Sequence, residues 1–127
     1  MFSHHSPPTI VAPASAYSQG VAAPAGARWL HISGQVGLNP DGALAAGARA
    51  QMDACWHNIF AVLGDADMAK ENIVKITAYI TDQALVGAYR ETRDSNLDGH
   101  LCAATLVVVS ALAHPDWLVE IEAMAAG

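Results

Sequence analysis

The stretch Thr105–Leu112, which reads TLVVVSAL, decides how this chain of 127 residues folds. Four large apolar residues, Leu106 to Val109, follow one another without interruption. Because successive side chains of a strand point to opposite faces, such a strand carries large apolar groups on both sides. This pattern is typical of a central strand that is covered on both faces.

The segments before and after this stretch predict further strands and two helices. Apolar residues recur at helical spacing over residues 45–63 and, after a capping Thr81-Asp82, over about 84–94. Alternating or β-branched residues predict strands at 17–23, 28–33, 73–80, 105–112 and 117–125. Turn chemistry at Pro24-Ala25-Gly26 places the first two strands in a hairpin. The order ββαβαββ predicts an α+β fold, with one mixed β-sheet and two helices on one face.

Two helices can cover only one face of this sheet. The other face would then leave the Leu106–Val109 run as an exposed apolar patch. Covering a few hundred Å² of it, at roughly 25 cal/mol per Å², is worth several kcal/mol. We therefore predict self-association through the open face; the alternative is a strand that folds under its own loop.

Length and composition indicate a single globular domain. The chain is 53% apolar and 14% charged, and 127 residues is an ordinary size for one domain. Residues 1–13 are rich in Ser, His and Pro, and Pro7-Pro8 disfavours regular structure. We expect a flexible tail at 1–13 and one domain at 14–127.

The charge balance excludes several kinds of partner. With six Lys and Arg residues and a net charge of −6, the chain offers no basic patch for nucleic acid or for an anionic membrane. It shows neither a secretory signal nor an apolar run of membrane-spanning length. Two cysteines suggest no disulfide framework. We expect a cytoplasmic protein that binds a small molecule.

No metal or cofactor is expected. His100, Cys102 and His114 lack the spacing of a zinc site. The glycines at 34 and 37 do not open a helix, so there is no phosphate-binding loop. Cys102 has no identifiable base partner, and a reactive thiol is not expected there.

Four motifs occur in an order and spacing that resemble one family. They are Tyr17–Gly20 (YSQG), Ile32–Gln35 (ISGQ) followed by Asn39–Gly42 (NPDG), Ile73–Asp82 (IVKITAYITD) and Leu118–Ala123 (LVEIEA). Together they resemble the Rid (reactive intermediate deaminase, YjgF-like) family, also called the L-PSP endoribonuclease family, over about residues 17–125. The resemblance implies a chorismate-mutase-like fold and a homotrimer, in which three sheets form a central barrel and small-molecule sites lie between subunits.

The resemblance also implies a chemistry. Well-studied members hydrolyse enamines and imines, such as 2-aminoacrylate, to 2-keto acids and ammonia. Such a reaction requires an anion receptor and a group that activates water. Glu120 aligns with the family glutamate thought to position water. Glu122 shares its face, so the two carboxylates can raise each other's pKa; the alternative is a pair of solvated strand carboxylates.

Six further positions align with substrate-contacting residues: Tyr17, Ser33, Gly34, Tyr89, Ala104 and Thr105. Two departures from the family pattern stand out. Ala104 replaces the arginine that binds the substrate carboxylate, and Val86 replaces an asparagine. The chain therefore resembles a subgroup that lacks the deaminase arginine. Arg90 and Arg93 on the second helix are candidate substitutes, although a solvated helix face is the interpretation that the sequence favours.

Three functions remain open. The first is a hydrolase of a small C–N compound, similar to a 2-iminobutanoate/2-iminopropanoate deaminase, with Glu120 positioning water. The second is a non-catalytic metabolite-binding or regulatory trimer. The third, an endoribonuclease or translation inhibitor, comes only from the family's older naming and is disfavoured by the net negative charge.

Overall fold

Six strands and two α-helices make up the chain in the computed structural model, which describes all 127 residues. In chain order they are β1 (Ser3–His5), β2 (Gly20–Ala22), β3 (Trp29–Val36), α1 (Ala48–Asp65), β4 (Ile73–Ile80), α2 (Val86–Leu97), β5 (Ala103–Val108) and β6 (Val119–Ala126). Single 3-10 turns precede β4 and α2. Neither α-helix combines the length and apolar character that crossing a membrane requires.

The main sheet has four strands in the order β3-β6-β4-β5. β6 is antiparallel to both of its neighbours, and β4 and β5 are parallel. α2 and the loop before Ala103 form the crossover that a parallel pair needs. The predicted α+β fold with one mixed sheet is therefore confirmed. β1 and β2 form a separate two-stranded ribbon.

Both helices pack on the same face of the main sheet, and the core lies between the helices and the sheet. Burial alternates along β4 and β6, so that every second side chain points into this core. Its largest fully buried side chains include Met52, Trp56 and Ile59 from α1, Tyr89 from α2, Ile73, Ile76 and Ile80 from β4, and Ile121 from β6. At about 1.5–3 kcal/mol for each buried large apolar side chain, this cluster is the main stabilising feature.

The strand at 105–112 differs from its prediction. β5 lies at the edge of the sheet, not in its centre, and it ends at Val108. Val107 and Val108 are 37% and 46% exposed. The open face is also less apolar than expected, because β4 and β6 place Lys75, Thr77, Tyr79, Glu120 and Glu122 on it. Exposed apolar surface in the sheet is thus concentrated on β5 and at Trp29.

The predicted hairpin between residues 17–23 and 28–33 is wrong. β2 pairs with β1, and β3 pairs with β6 over almost its whole length. β3 is eight residues long and finds a partner of equal length in β6, whereas β2 has only three residues. The expected tail accordingly contains a short strand, which ends before Pro7-Pro8.

Candidate functional site

Four of the predicted site residues meet around one cavity at the β5 edge. Its volume is about 210 Å³, and its walls are Ser15, Tyr17, Tyr89, Arg90, Arg93, Ala104, Thr105 and Leu106. Tyr17, Tyr89, Ala104 and Thr105 are therefore neighbours. A larger hollow of about 550 Å³ between the loop at 38–46 and α1 contains none of the predicted site residues.

Backbone pairing holds Tyr17 beside β5. The Ser18 N–H donates to the Cys102 carbonyl at 2.9 Å, and Ser18 pairs with Ala103 in a parallel bridge. The Ser18 hydroxyl also hydrogen-bonds His4 Nδ1 at 2.7 Å. The segment before β2 is thus fastened to the start of β5, which places Tyr17 over the cavity.

One turn of α2 supplies the opposite wall of the cavity. Tyr89 and Arg93 are four residues apart and so share one face of the helix, with Arg90 beside them. Tyr89 is 1% exposed and belongs to the core cluster. Burial raises the pKa of Tyr89, so its hydroxyl stays protonated at neutral pH.

Arg93 is buried, and the interpretation of a solvated helix face is wrong for this residue. It is 4% exposed; its Nε donates to Asp94 Oδ1 at 2.9 Å, and its buried Nη2 has no hydrogen-bond partner in the chain. Arg90 is exposed, as a solvated face requires. The signal for Arg93 was its place four residues after Tyr89, on the same buried side of α2.

Cys102 lies next to this wall and is a buried thiol. It is 2% exposed, and burial raises its pKa to about 11, although the positive charges of Arg93 and Lys75 oppose the shift. The thiolate is the nucleophilic form of cysteine. At neutral pH Cys102 therefore stays protonated.

Glu120, Ser33 and Gly34 form a second group where β6 meets β3. The register of this pair shifts between Ile32 and Gln35, which places Ser33 and Gly34 in an irregular, exposed part of β3. The Glu120 carboxylate lies directly over Gly34, where a Cβ would overlap it. The absence of a side chain at Gly34 thus leaves the space that the Glu120 carboxylate occupies.

Glu122 is engaged differently from Glu120. The Tyr79 hydroxyl donates to Glu122 Oε1 at 2.6 Å. This hydrogen bond is the main cause that raises the pKa of Tyr79. On the same face, Lys75 Nζ donates to the Thr105 hydroxyl at 2.6 Å. Both pairs cross between neighbouring strands, and they order the open face of the sheet.

The two groups of predicted residues do not meet within one chain. β4 separates β6 from β5, which puts about 10 Å between the two strands. Ala104 and Glu120 also lie on opposite faces of the sheet. Ala104 lies beside Ile76, which is buried under the helices, whereas Glu120 lies beside Tyr79 on the open face. Each chain therefore presents two separate halves of the aligned site.

The candidate metal ligands considered from the sequence are also apart. His100 Nε2 is 2.8 Å from the Ile73 carbonyl, and the His114 ring lies against Trp117 with ring centroids 5.6 Å apart. Nowhere in the chain are three His, Cys, Asp or Glu side chains grouped so that they could hold a metal ion.

The fold and the site together define a class of protein. It is an α+β chain with a four-stranded mixed sheet, two helices on one face and a cavity at the edge of the sheet. The family model described as Endoribonuclease L-PSP matches residues 8–127. The chain therefore belongs to this family, the Rid or YjgF-like family of the sequence resemblance.

Three similar proteins span a range of relatedness. A solved structure of the Rid family protein YyfB from Yersinia pestis, of unknown function, has a TM-score of 0.90 and 30% identity, covering 99% of this chain and 98% of that one. E. coli TdcF with bound serine has a TM-score of 0.75 and 26% identity, covering 93% and 91%. A RutC family protein from Aquifex aeolicus is 42% identical over 76 residues, which is 59% of this chain and 58% of that relative.

Proposed function

We propose that this protein is a homotrimer that hydrolyses a small imine, enamine or related C–N compound in clefts between its subunits. The observation that carries this proposal is the division of the aligned site. Glu120 lies at the β3–β6 side on the open face, and the cavity lies at the β5 edge. Association of copies through the open face and the exposed Val107 would bring one chain's carboxylate to another chain's cavity.

In this arrangement each half has its own role. Glu120 accepts a hydrogen bond from water and directs it at the electrophilic carbon of the C=N group. Gly34 leaves room for that carboxylate, and the exposed Ser33 hydroxyl is available to the substrate. On the other half, the rings of Tyr17 and Tyr89 and the backbone at Ala104 and Thr105 form the walls that orient the substrate.

The size and lining of the cavity support a small polar substrate. About 210 Å³ with four hydroxyl-bearing residues and two arginines in the wall suits a molecule the size of an amino acid. The TdcF structure holds serine, a compound of this size with a carboxylate and a C–N bond. A 2-imino or 2-enamino acid has the same outline.

The test is turnover of 2-aminoacrylate and related imines, generated in the assay and followed as 2-keto acid and ammonia. We expect Glu120→Gln to reduce the rate by about 10²-fold or more, since a positioned base contributes 10²–10⁴-fold. Gly34→Ala should reduce it similarly by displacing the carboxylate. Glu71→Gln, an exposed glutamate outside both halves, is the matched control.

Sedimentation at micromolar concentration tests the assembly. Wild type, Glu120→Gln and Gly34→Ala should all sediment as trimers. A folded wild-type monomer, or full turnover by Glu120→Gln, would contradict the proposal.

A second function is favoured by the two departures from the family pattern. Ala104 and Val86 replace residues that contact substrate in deaminating members, which fits a cleft that binds a metabolite without converting it. This alternative predicts that imine-derived acids raise the unfolding temperature while no product forms. Release of ammonia above the uncatalysed rate would exclude it.

A further inference from the structure

Arg93 carries a donor that the chain itself leaves unsatisfied. The residue is only 4% exposed, and its buried Nη2 has no hydrogen-bond partner in the chain. A buried charged donor without an acceptor is costly, and native structures rarely tolerate one without a reason. Because Arg93 forms part of the cavity wall, a small movement of its side chain brings this donor within reach of a ligand seated there.

The charge around the cavity indicates the sign and size of the ligand's charge. No Asp or Glu lines the cavity, although the chain as a whole has a net charge of −6. Asp94 pairs with Arg93 through Nε and offsets one positive charge. Arg90 lines the same cavity and takes part in none of the chain's three ion pairs. Among the residues that line the cavity, one positive charge thus remains uncompensated, which matches a monoanion.

The shape of the wall indicates what kind of monoanion fits. The side chain at Ala104 is a single methyl group, so β5 leaves space in front of Arg93. Leu106 and the ring of Tyr89 are apolar, and Ser15 and Tyr17 add hydroxyls. A planar guanidinium matches a planar carboxylate group.

We propose that Arg93 is the carboxylate receptor of this cavity, that Arg90 assists it at the rim, and that the ligand is a small monocarboxylic acid. This assignment rests on the proposed function only in placing the ligand in the same cleft. Binding is measured without turnover, so the two proposals can fail separately.

The test is calorimetric titration of the whole protein with pyruvate, with methyl pyruvate as the uncharged counterpart. Pyruvate should bind and methyl pyruvate should not. Arg93→Met should weaken pyruvate binding by about ten- to a hundred-fold, the range for a hydrogen bond to a charged group. Arg93→Lys keeps the charge but not the planar fork, and its affinity for pyruvate should lie between those of the wild type and Arg93→Met. Arg49→Met, which removes an exposed arginine from the α1–α2 surface, is the matched control and should bind like wild type.

Two further variants keep the outcome decisive. Ala104→Leu leaves Arg93 unchanged but fills the cavity, so it should also lose pyruvate binding; it decides the matter if Arg93→Met fails to fold. Glu71→Gln, which lies outside both halves of the site, should bind pyruvate like wild type. Inorganic phosphate should compete poorly, because it carries more negative charge than the site compensates.

Three results would overturn the assignment. The first is wild-type affinity for pyruvate in a folded Arg93→Met, or in Ala104→Leu if Arg93→Met fails to fold. The second is no binding of pyruvate by the wild type, or equal binding of methyl pyruvate. The third is loss of the oligomer in Arg93→Met with pyruvate binding retained, which would show that Nη2 bonds a neighbouring subunit instead of a ligand.

Discussion

Gly37→Ala should destabilise the protein although it adds only one methyl group. Gly37 follows β3 and is buried against α1. A Cβ at this position would lie 2.5 Å from Gln51 Cβ and 2.6 Å from Gln51 Cα. The Cα is helix backbone, and the Gln51 amide is bonded to the Asp116 carbonyl at 3.2 Å and to the Leu118 N–H at 2.9 Å. Neither the helix backbone nor the hydrogen-bonded Gln51 side chain can move without a further loss of stability. The strain should therefore lower the free energy of unfolding by about 1–3 kcal/mol, the usual range for overpacking.

Urea denaturation at one fixed protein concentration measures this cost, because the stability of the proposed homotrimer would depend on concentration. For a chain of this length, each kcal/mol corresponds to a fall of about 4 °C in the melting temperature. The matched control is Gly34→Ala on the same part of the chain. There the new methyl group overlaps only the flexible end of Glu120, which can rotate away. Its cost should be below about 1 kcal/mol.

The comparison of the two alanine variants is what tests the reasoning. If Gly37→Ala is as stable as wild type, the packing of Gly37 on Gln51 is looser than the distances state. If Gly34→Ala costs as much as Gly37→Ala, then Glu120 is not free to rotate, and its proposed displacement is wrong.

Three further predictions use the same denaturation measurements. Gln51→Leu removes the acceptor of a backbone N–H just before β6, and should cost about 1–3 kcal/mol. Gly64→Ala should stabilise α1 by about 0.5–1 kcal/mol, since nothing lies within 4 Å of the added Cβ. Burial raises the pKa of Cys55 to about 12 and that of Cys102 to about 11, from 9.0. The folded state thus holds both protons more tightly; the stabilisation is fully present below about pH 9, and about 1.4 kcal/mol per pH unit and thiol should be lost above it.

Each of these has a control in the chain. Gly87→Ala, an exposed glycine in α2 with an equally open Cβ, should also be tolerated. Replacing both cysteines by alanine should flatten the fall in stability between pH 9 and 10. If the wild type and this double variant show the same pH dependence, the buried thiols do not have the raised pKa values. A Gln51→Leu variant as stable as wild type would show that water replaces the lost acceptor.

The sequence predicts the internal elements of the fold well. β4 occupies the predicted residues 73–80, because its β-branched and alternating pattern leaves little choice of register. The helix at 45–63 was placed three residues too early. Gly47, at a φ of 89°, is outside helical geometry, and α1 begins after it. The helix predicted at about 84–94 begins two residues later, after a 3-10 turn, and runs to Leu97.

The order of the strands could not be predicted from the same patterns. Periodicity states which side of a strand is buried, but not which strand lies beside it. The run at Leu106–Val109 indicates two apolar faces equally well for a central strand and for an edge strand that another chain covers. The short turn at 24–26 suggests a hairpin, but β2 has only three residues, whereas β3 forms six residue pairs with β6.

The candidate site was predicted unevenly for a similar reason. The aligned positions Tyr17, Tyr89, Ala104 and Thr105 line one cavity, because motif spacing carries over with the fold. Residue type alone predicts that the Arg93 side chain is exposed to solvent, because arginines usually are. Its four-residue distance from Tyr89 was the better guide, because position on a helix decides burial before residue type does.

The outer rim of β5 has a consequence for how the protein must be made. Ser18 covers only its beginning, at Ala103, so that the backbone groups farther along this side have no strand beside them. Together with the exposed side chains of Val107 and Val108, these backbone groups form an edge to which any extended peptide can add. Newly synthesised chains are therefore expected either to associate quickly with other copies of the chain or to aggregate. We expect refolding at high protein concentration to yield precipitate, and dilution to reduce it.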